Sequence, residues 1–197
     1  MSTVSVVIPA YNSENFIGAT IESILSQTYT DFTLTVIDDV STDHTGDTVR
    51  KYKDPRIRFV KNEKNLGLTG NFDHSLDFMR GAKYGLLVCN DDIIGKDYLE
   101  AKVGAFEKDP EVVLVCNATN IINPKGKRLF VRKTQKEDVL DGRTAIYRSY
   151  LAGNIFGEPS GVMLRTSVLD KIKGYDQSLK YVLDWEFSVR AAALGKV

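Results

Sequence analysis

Apolar and polar positions alternate along this chain in two periods. Val4 to Pro9 is a β-branched run stopped by proline. Phe16, Ile17, Thr20, Ile21, Ile24 and Leu25 then recur at helical spacing, with Ser13 placed to cap a helix that runs to about Gln27. Phe32 to Ile37 is a second strand, and a helix follows through Lys51. Arg56 to Val60 is a short third strand. Asn62 to Gly70 reads as a loop rich in Asn and Gly, with Phe72, Leu76 and Met79 marking the helix after it. The run Leu86 to Val88, within Tyr84 to Ile94, is a strand. Lys96 to Glu107 is a helix and Val112 to Cys116 a strand. Strands alternating with helices of about 10 to 15 residues imply βαβ units and a mostly parallel sheet.

After Asn117 the pattern changes. Asn123 to Lys127 is turn chemistry between two strand-like runs, and Lys125, Lys127, Arg128, Arg132, Lys133 and Lys136 make this predicted hairpin basic. A solvated surface or a site for an anionic ligand would both use these charges. Asp141 to Leu151 reads as a helix and Val162 to Leu164 as a strand. Lys173 to Asp176 reads as a loop. Leu183 to Leu194 is helical, with Glu186 and Arg190 spaced as an i,i+4 pair. The reading is one α/β domain, with residues 1–116 as a first half and 117–197 as a second.

Lys plus Arg and Asp plus Glu each number 26, so the net charge is zero, which excludes a nucleic-acid partner held by bulk charge. Cys89 and Cys116 sit in apolar runs and read as core thiols of a reducing compartment. No run is long enough for a membrane span, and the start leaves no room for a signal peptide. The expected location is cytoplasmic.

The candidate chemistry lies where strands end. Tyr11 follows the first strand, Asp38 and Asp39 follow the second, and Asn90, Asp91 and Asp92 follow the run Leu86 to Val88. In an open parallel sheet these ends share one edge, where ligands bind. Adjacent carboxylates there fit either a polar turn or a hard divalent cation such as Mg²⁺ or Mn²⁺. An aromatic, one carboxylate pair able to accept from a base or ribose, and a second pair able to hold a metal suit a nucleoside diphosphate. No glycine-rich phosphate cradle is present, so a cation would neutralise the phosphates.

These stretches carry a resemblance. Val4 to Asn12 resembles the opening strand of the inverting glycosyltransferases of family 2, which have the GT-A fold, a Rossmann-like, mostly parallel sheet flanked by helices. Ile21 to Tyr29 looks like that family's first helix. Asp38 to Thr45 is similar to its D-D-G-S-T-D-G-T segment, and Asn65 to Leu68 to its next loop. The resemblance implies a nucleotide-sugar donor, with UDP or dTDP suited to Tyr, Asp and Asn contacts, and a divalent cation. It puts Tyr11 and Asp39 at the base, with Asp38 supporting them. Pro9, Ala10, Asn65 and Gly67 belong to the same donor side. Asn90 falls near the ribose or sugar, and Asp91, helped by Asp92, at the metal.

Gly157 to Met163 and Gly174 to Leu179 look like the family's acceptor-side segments, which include Glu158. Asp184-Trp185-Glu186 resembles its D-W-E motif, making Asp184 the general base. Asp184 falls near a helix N-terminus, where the dipole favours the ionised form. Departures from the pattern are Cys89 at the first Asp of D-x-D, Phe72 where an Arg often faces the diphosphate, and Leu183 where Glu is common. The implied acceptor is a saccharide or lipid-linked saccharide in polysaccharide or glycolipid assembly, with the enzyme at the inner face of a membrane. The alternative is a non-catalytic nucleotide-binding module.

Overall fold

The computed structural model describes residues 2–123, 126–132, 139–179 and 181–197. Its centre is a six-stranded sheet in the order β3-β2-β1-β4-β8-β5. Strand β1 (Val4–Ala10) pairs in parallel with β2 (Phe32–Asp38) on one side and β4 (Tyr84–Leu87) on the other, and β2 pairs in parallel with β3 (Ile57–Lys61). Every residue of β1 is buried. That is the expected state of a strand covered on both faces, and it explains a β-branched run without polar alternation.

Both faces are filled. Val4, Val6 and Ile8 pack with Ile17, Ile21 and Ile24 of helix α1 (Ile17–Leu25) and with Leu99 and Phe106 of α4 (Tyr98–Lys108). Val7 and Ile37 face the other way, toward Phe72, Leu76 and Met79 of α3 (Gly67–Met79) and Phe187 of α7 (Leu183–Ala192). Helix α2 (Thr45–Arg50) closes the β2 side.

The predicted strand at Val112 to Cys116 contains only two strand residues, β5 (Leu114–Val115), and it does not sit beside β4. Strand β8 (Met163–Arg165), from the second half of the chain, lies between them, antiparallel to both. The two halves therefore share one sheet. The predicted hairpin forms as β6 (Thr119–Ile122) and β7 (Arg128–Arg132). Lys125, Lys133 and Lys136 of its basic set lie outside the described residues. Helix α5 (Gly142–Ala152) is capped by Asp141, whose Oδ1 accepts from Thr144 N at 3.1 Å. A short α6 (Leu169–Ile172) precedes the loop to α7.

Two expected helix starts are corrected. Ser13 does not cap α1 with its hydroxyl; its carbonyl accepts from Phe16 N and Ile17 N, both at 2.9 Å. Helix α3 begins at Gly67, inside the stretch read as a loop. Its cap comes from 27 residues upstream: Asp39 Oδ1 accepts from Leu66 N at 2.8 Å and Oδ2 from Gly67 N at 2.9 Å. A distant carboxylate does here what a local Ser or Asp usually does.

Two features store free energy. The turn after β2 puts Val40 at φ +62°, a left-handed conformation that β-branched residues rarely adopt. Lys102 of α4 is only 4% exposed, with Nζ donating to Val115 O and Gly161 O, each at 2.6 Å. Burial pushes its ammonium down to about 7 despite the opposing effect of Cys116.

Val40→Gly is expected to stabilise the fold. Relief of about 1–2 kcal/mol of left-handed strain outweighs about 0.5–1 kcal/mol of added chain entropy. The thermal midpoint should rise by about 2–4 °C in a scanning calorimeter. For Lys102, the unfolded chain holds its proton up to an ordinary lysine pKa while the folded chain releases it near 7. Stability should therefore increase as pH rises above about 7, by on the order of 1 kcal/mol per pH unit. Denaturant titrations from pH 6 to 9 should show this slope, and Lys102→Met should flatten it.

Candidate active site

The carboxyl ends of β1, β2 and β4 open onto a cleft with a cavity of about 620 Å³, within the range of small-molecule sites. Pro9 and Ala10 line it from β1 and Tyr11 from just beyond, Asp39 and Val40 from the β2 turn, Asn65 from the loop before α3, Gly67 and Leu68 from the start of α3, and Cys89, Asn90 and Asp91 from beyond β4. Of the ten residues assigned to the donor side from sequence, eight line this cleft; Asp38 and Asp92 do not. Tyr11 is 49% exposed, so its ring is free to stack on a ligand.

The aspartates divide their tasks. Asp38 is buried, its Oδ1 accepting from Ser41 N at 3.0 Å, so it shapes the turn behind the cleft. Asp39 is also buried, and its Oδ1 accepts additionally from Asn62 Nδ2 at 2.7 Å. Three protein donors thus occupy most of its acceptor capacity, leaving about one lone pair for a ligand. Asn62 extends the network to Asn71 Oδ1, at 3.1 Å, and to His74 Nδ1, at 3.0 Å. Asn71 and Leu68 line the cleft and were not singled out from the sequence. An Asn at an inward helical position beside Phe72 is the signal that could have found Asn71. Phe72 forms part of the cleft and meets Tyr175 edge-on, with ring centroids 5.7 Å apart; Tyr175 stacks on Phe187 at 4.3 Å.

Beyond β4, Asp92 turns away from the cleft. Its Oδ2 accepts from Ser160 Oγ at 2.5 Å. Burial raises its carboxyl above the usual range, and the neighbouring Asp91 adds to that, while the Ser160 bond opposes it. Burial, followed by the charges of Asp92, Asp91 and Asp184, pushes the Cys89 thiol up to about 12, so it is a neutral wall of the cleft. No Lys, Arg or His is among the described residues that line it.

Of the two carboxylates that line the cavity, Asp39 is buried and Asp91 is exposed. Among the described residues, no three His, Cys, Asp or Glu side chains gather into a metal cage. One carboxylate with open space beside it fits a hard cation that completes its shell with phosphate oxygens and water, as Mg²⁺ and Mn²⁺ do. It does not fit a structural zinc centre.

Asp184 is the second residue of α7 and lies off the main cleft, on a small cavity of about 20 Å³ with Leu87, Tyr175 and Phe187. The expected helix-end stabilisation of its charged form is present as backbone N–H bonds, but burial outweighs it and raises the carboxyl above its ordinary value. The other acceptor-side candidates are held by neighbours. Glu158 pairs with Arg132, Trp185 Nε1 donates to Ser149 Oγ at 2.6 Å, and Glu186 Oε1 accepts from Arg190 Nε at 2.5 Å.

Comparison with known proteins gives this site its context. The family model for glycosyl transferase family 2 matches residues 5–173. An uncharacterized glycosyltransferase of Methanocaldococcus jannaschii is 30% identical over 194 residues, covering 96% of this chain and 64% of the relative. A UDP-Glc:alpha-D-GlcNAc-diphosphoundecaprenol beta-1,3-glucosyltransferase of Escherichia coli is 41% identical over 92 residues, 47% of this chain and 36% of the relative. The crystal structure of Staphylococcus aureus TarS with UDP-GlcNAc aligns with a TM-score of 0.77 at 22% identity, covering 96% of this chain and 53% of that one, and so shares the fold. The chain thus spans about one third to two thirds of the length of these proteins. With a family match that takes in the whole cleft and the strand that joins the two halves, the chain belongs to glycosyltransferase family 2.

Proposed function

We propose that this chain forms the catalytic core of an inverting glycosyltransferase that uses a nucleotide-diphosphate sugar, with UDP or dTDP as the nucleotide. The observation that carries this reading is the cleft itself. It combines an exposed aromatic, a buried carboxylate with about one acceptor site left, and a single forward-facing carboxylate, with no cationic side chain among its described lining residues. The spare acceptor on Asp39 matches the one ring N–H of uracil or thymine. The donor and acceptor of the Escherichia coli relative, UDP-Glc and alpha-D-GlcNAc-diphosphoundecaprenol, point the same way.

In this reading, residues 1–116 supply the donor side. Tyr11 stacks on the base, Asn65 and Asn90 reach the ribose or sugar, and Pro9, Ala10 and Gly67 bring the backbone close. Asp91, with Asp92 behind it, would hold a Mg²⁺ or Mn²⁺, which would supply the positive charge that the cleft's described lining lacks and that a leaving diphosphate requires. Residues 117–197 supply the acceptor side, with Glu158, Trp185 and Glu186 around a saccharide or lipid-linked saccharide. The acceptor oxygen attacks the anomeric carbon and its proton passes to the Asp184 carboxylate. The anomeric carbon–phosphate oxygen bond breaks, its electron pair leaves with the diphosphate, and the configuration inverts. A base raised by burial holds that proton better than an exposed aspartate. A lipid-linked acceptor would bring the chain to the cytoplasmic face of a membrane. No described helix is long and apolar enough to cross one.

Calorimetric titration of UDP and dTDP, with and without Mn²⁺, tests the donor side. Binding is expected to require the metal and to be lost in Asp91→Ala; metal-independent binding that survives this substitution would overturn the reading. Asp184→Asn should lower kcat by about 10²–10⁴-fold while leaving the donor dissociation constant unchanged. Because burial raises Asp184, its basic form is lost at a higher pH than for a free aspartate as the solution is acidified. The acid limb of the kcat profile should therefore lie above about pH 3.9.

A further inference from the structure

We propose that Ser160 is a positioning residue for the metal-facing carboxylate, a clamp on the turn that aims Asp91. The proposal rests on the donor-site reading above and deepens it. Sequence placed Ser160 in an acceptor-side loop, but the fold carries it across to the end of β4. It lies on a single 3₁₀ turn, Pro159–Gly161, and is 8% exposed.

Its hydroxyl grips both ends of the turn Cys89–Asp92. Oγ accepts from Cys89 N at 2.8 Å and donates to Asp92 Oδ2 at 2.5 Å. The turn is closed on itself by Asp92 N donating to Cys89 O at 3.1 Å. The two residues left between these fixed ends are Asn90 and Asp91, and both line the cleft. A single hydroxyl thus fixes the frame from which the forward carboxylate projects.

The clamp is itself immobilised. Tyr98 Oη donates to Ser160 O at 2.5 Å, and the buried Lys102 Nζ donates to Gly161 O at 2.6 Å. Both donors belong to α4, which packs on the sheet core. Removing the hydroxyl leaves Cys89 N–H without its acceptor and releases the Asp92 carboxylate from its donor. The turn can then re-aim, and Asp92 becomes free to compete for the cation. Groups that orient a metal ligand typically change metal affinity by 10–100-fold when removed.

The test measures Mn²⁺ binding in the presence of UDP, by the electron paramagnetic resonance signal of free Mn²⁺, for wild type, Ser160→Ala and Ser160→Thr. Thermal midpoints and amide hydrogen exchange at Cys89 and Asp92 are read on the same samples. Ser160→Ala is expected to weaken Mn²⁺ binding by about 10–100-fold and to speed exchange at the Cys89 amide, with a cooperative unfolding transition retained. Ser160→Thr, which keeps the hydroxyl, should restore both. Wild-type Mn²⁺ affinity in Ser160→Ala would overturn the proposal. So would a loss of affinity that Ser160→Thr does not restore, or one that comes only with loss of the cooperative transition. If the wild type binds no Mn²⁺ with UDP, the donor-site reading fails, and exchange at Cys89 still decides whether the clamp holds the turn.

Discussion

The buried carboxylate of Asp39 is the contact on which the cleft depends. It sits at the end of β2 and receives N–H donors from Asn62, Leu66 and Gly67. Hydrogen bonds to a charged acceptor are worth about 1.5–3 kcal/mol each, and an unpaired buried charge would be far costlier. The connection after β3 is therefore drawn over the sheet edge and turned directly into α3. That one side chain starts a helix and closes one wall of the cavity. It also determines which of its own lone pairs a ligand can still reach.

The opposite wall uses the same physics with a different group. Ser160 reaches across the fold to brace the turn after β4, and Lys102 and Tyr98 brace the segment that carries Ser160. The path exists because β8 inserts between β4 and β5 and places the second half of the chain against the first. Buried polar groups of this kind fix geometry more than they add stability, since each must be satisfied where it stands. The aromatic contacts from Phe72 through Tyr175 to Phe187 add an apolar tie between the cleft and the helix that carries Asp184.

Among the described non-glycine residues, Asn12, Val40, Lys173 and Val182 have positive φ; Asn12 and Val40 adjoin Tyr11 and Asp39, Val182 lies two residues before Asp184, and Lys173 follows α6. Residues held in this region persist only where their surroundings over-determine them. At Asn12 the surroundings are visible: its Oδ1 accepts from Thr42 N at 2.9 Å and its N–H donates to Ser41 Oγ at 3.0 Å. At Val40 the same role falls to a β-branched residue where the resembling segments carry Gly. The turn after β2 is thus forced by its hydrogen bonds and not by the preference of its central residue.

The sequence by itself determined what depends on neighbours a few residues apart. The β-branched run at Val4, the helical spacing in α1 and the helix from about Asp141 are local facts, and each was legible as such; the capping role of Asp141 was seen only in the structure. So was the edge at which Tyr11, Asp39 and Asp91 meet, because parallel strands align their carboxyl ends. Tertiary structure decided everything that rests on partners far apart in the chain. The start of α3 is capped from 27 residues away, so no local pattern announces it. The family resemblance singled out Asp91 over Asp92, but what holds Asp92 off the cleft comes from Ser160, 68 residues downstream of Asp92, which no local pattern announces. Likewise the helix position of Asp184 was visible, but the burial that outweighs its effect comes from residues packed around it in three dimensions.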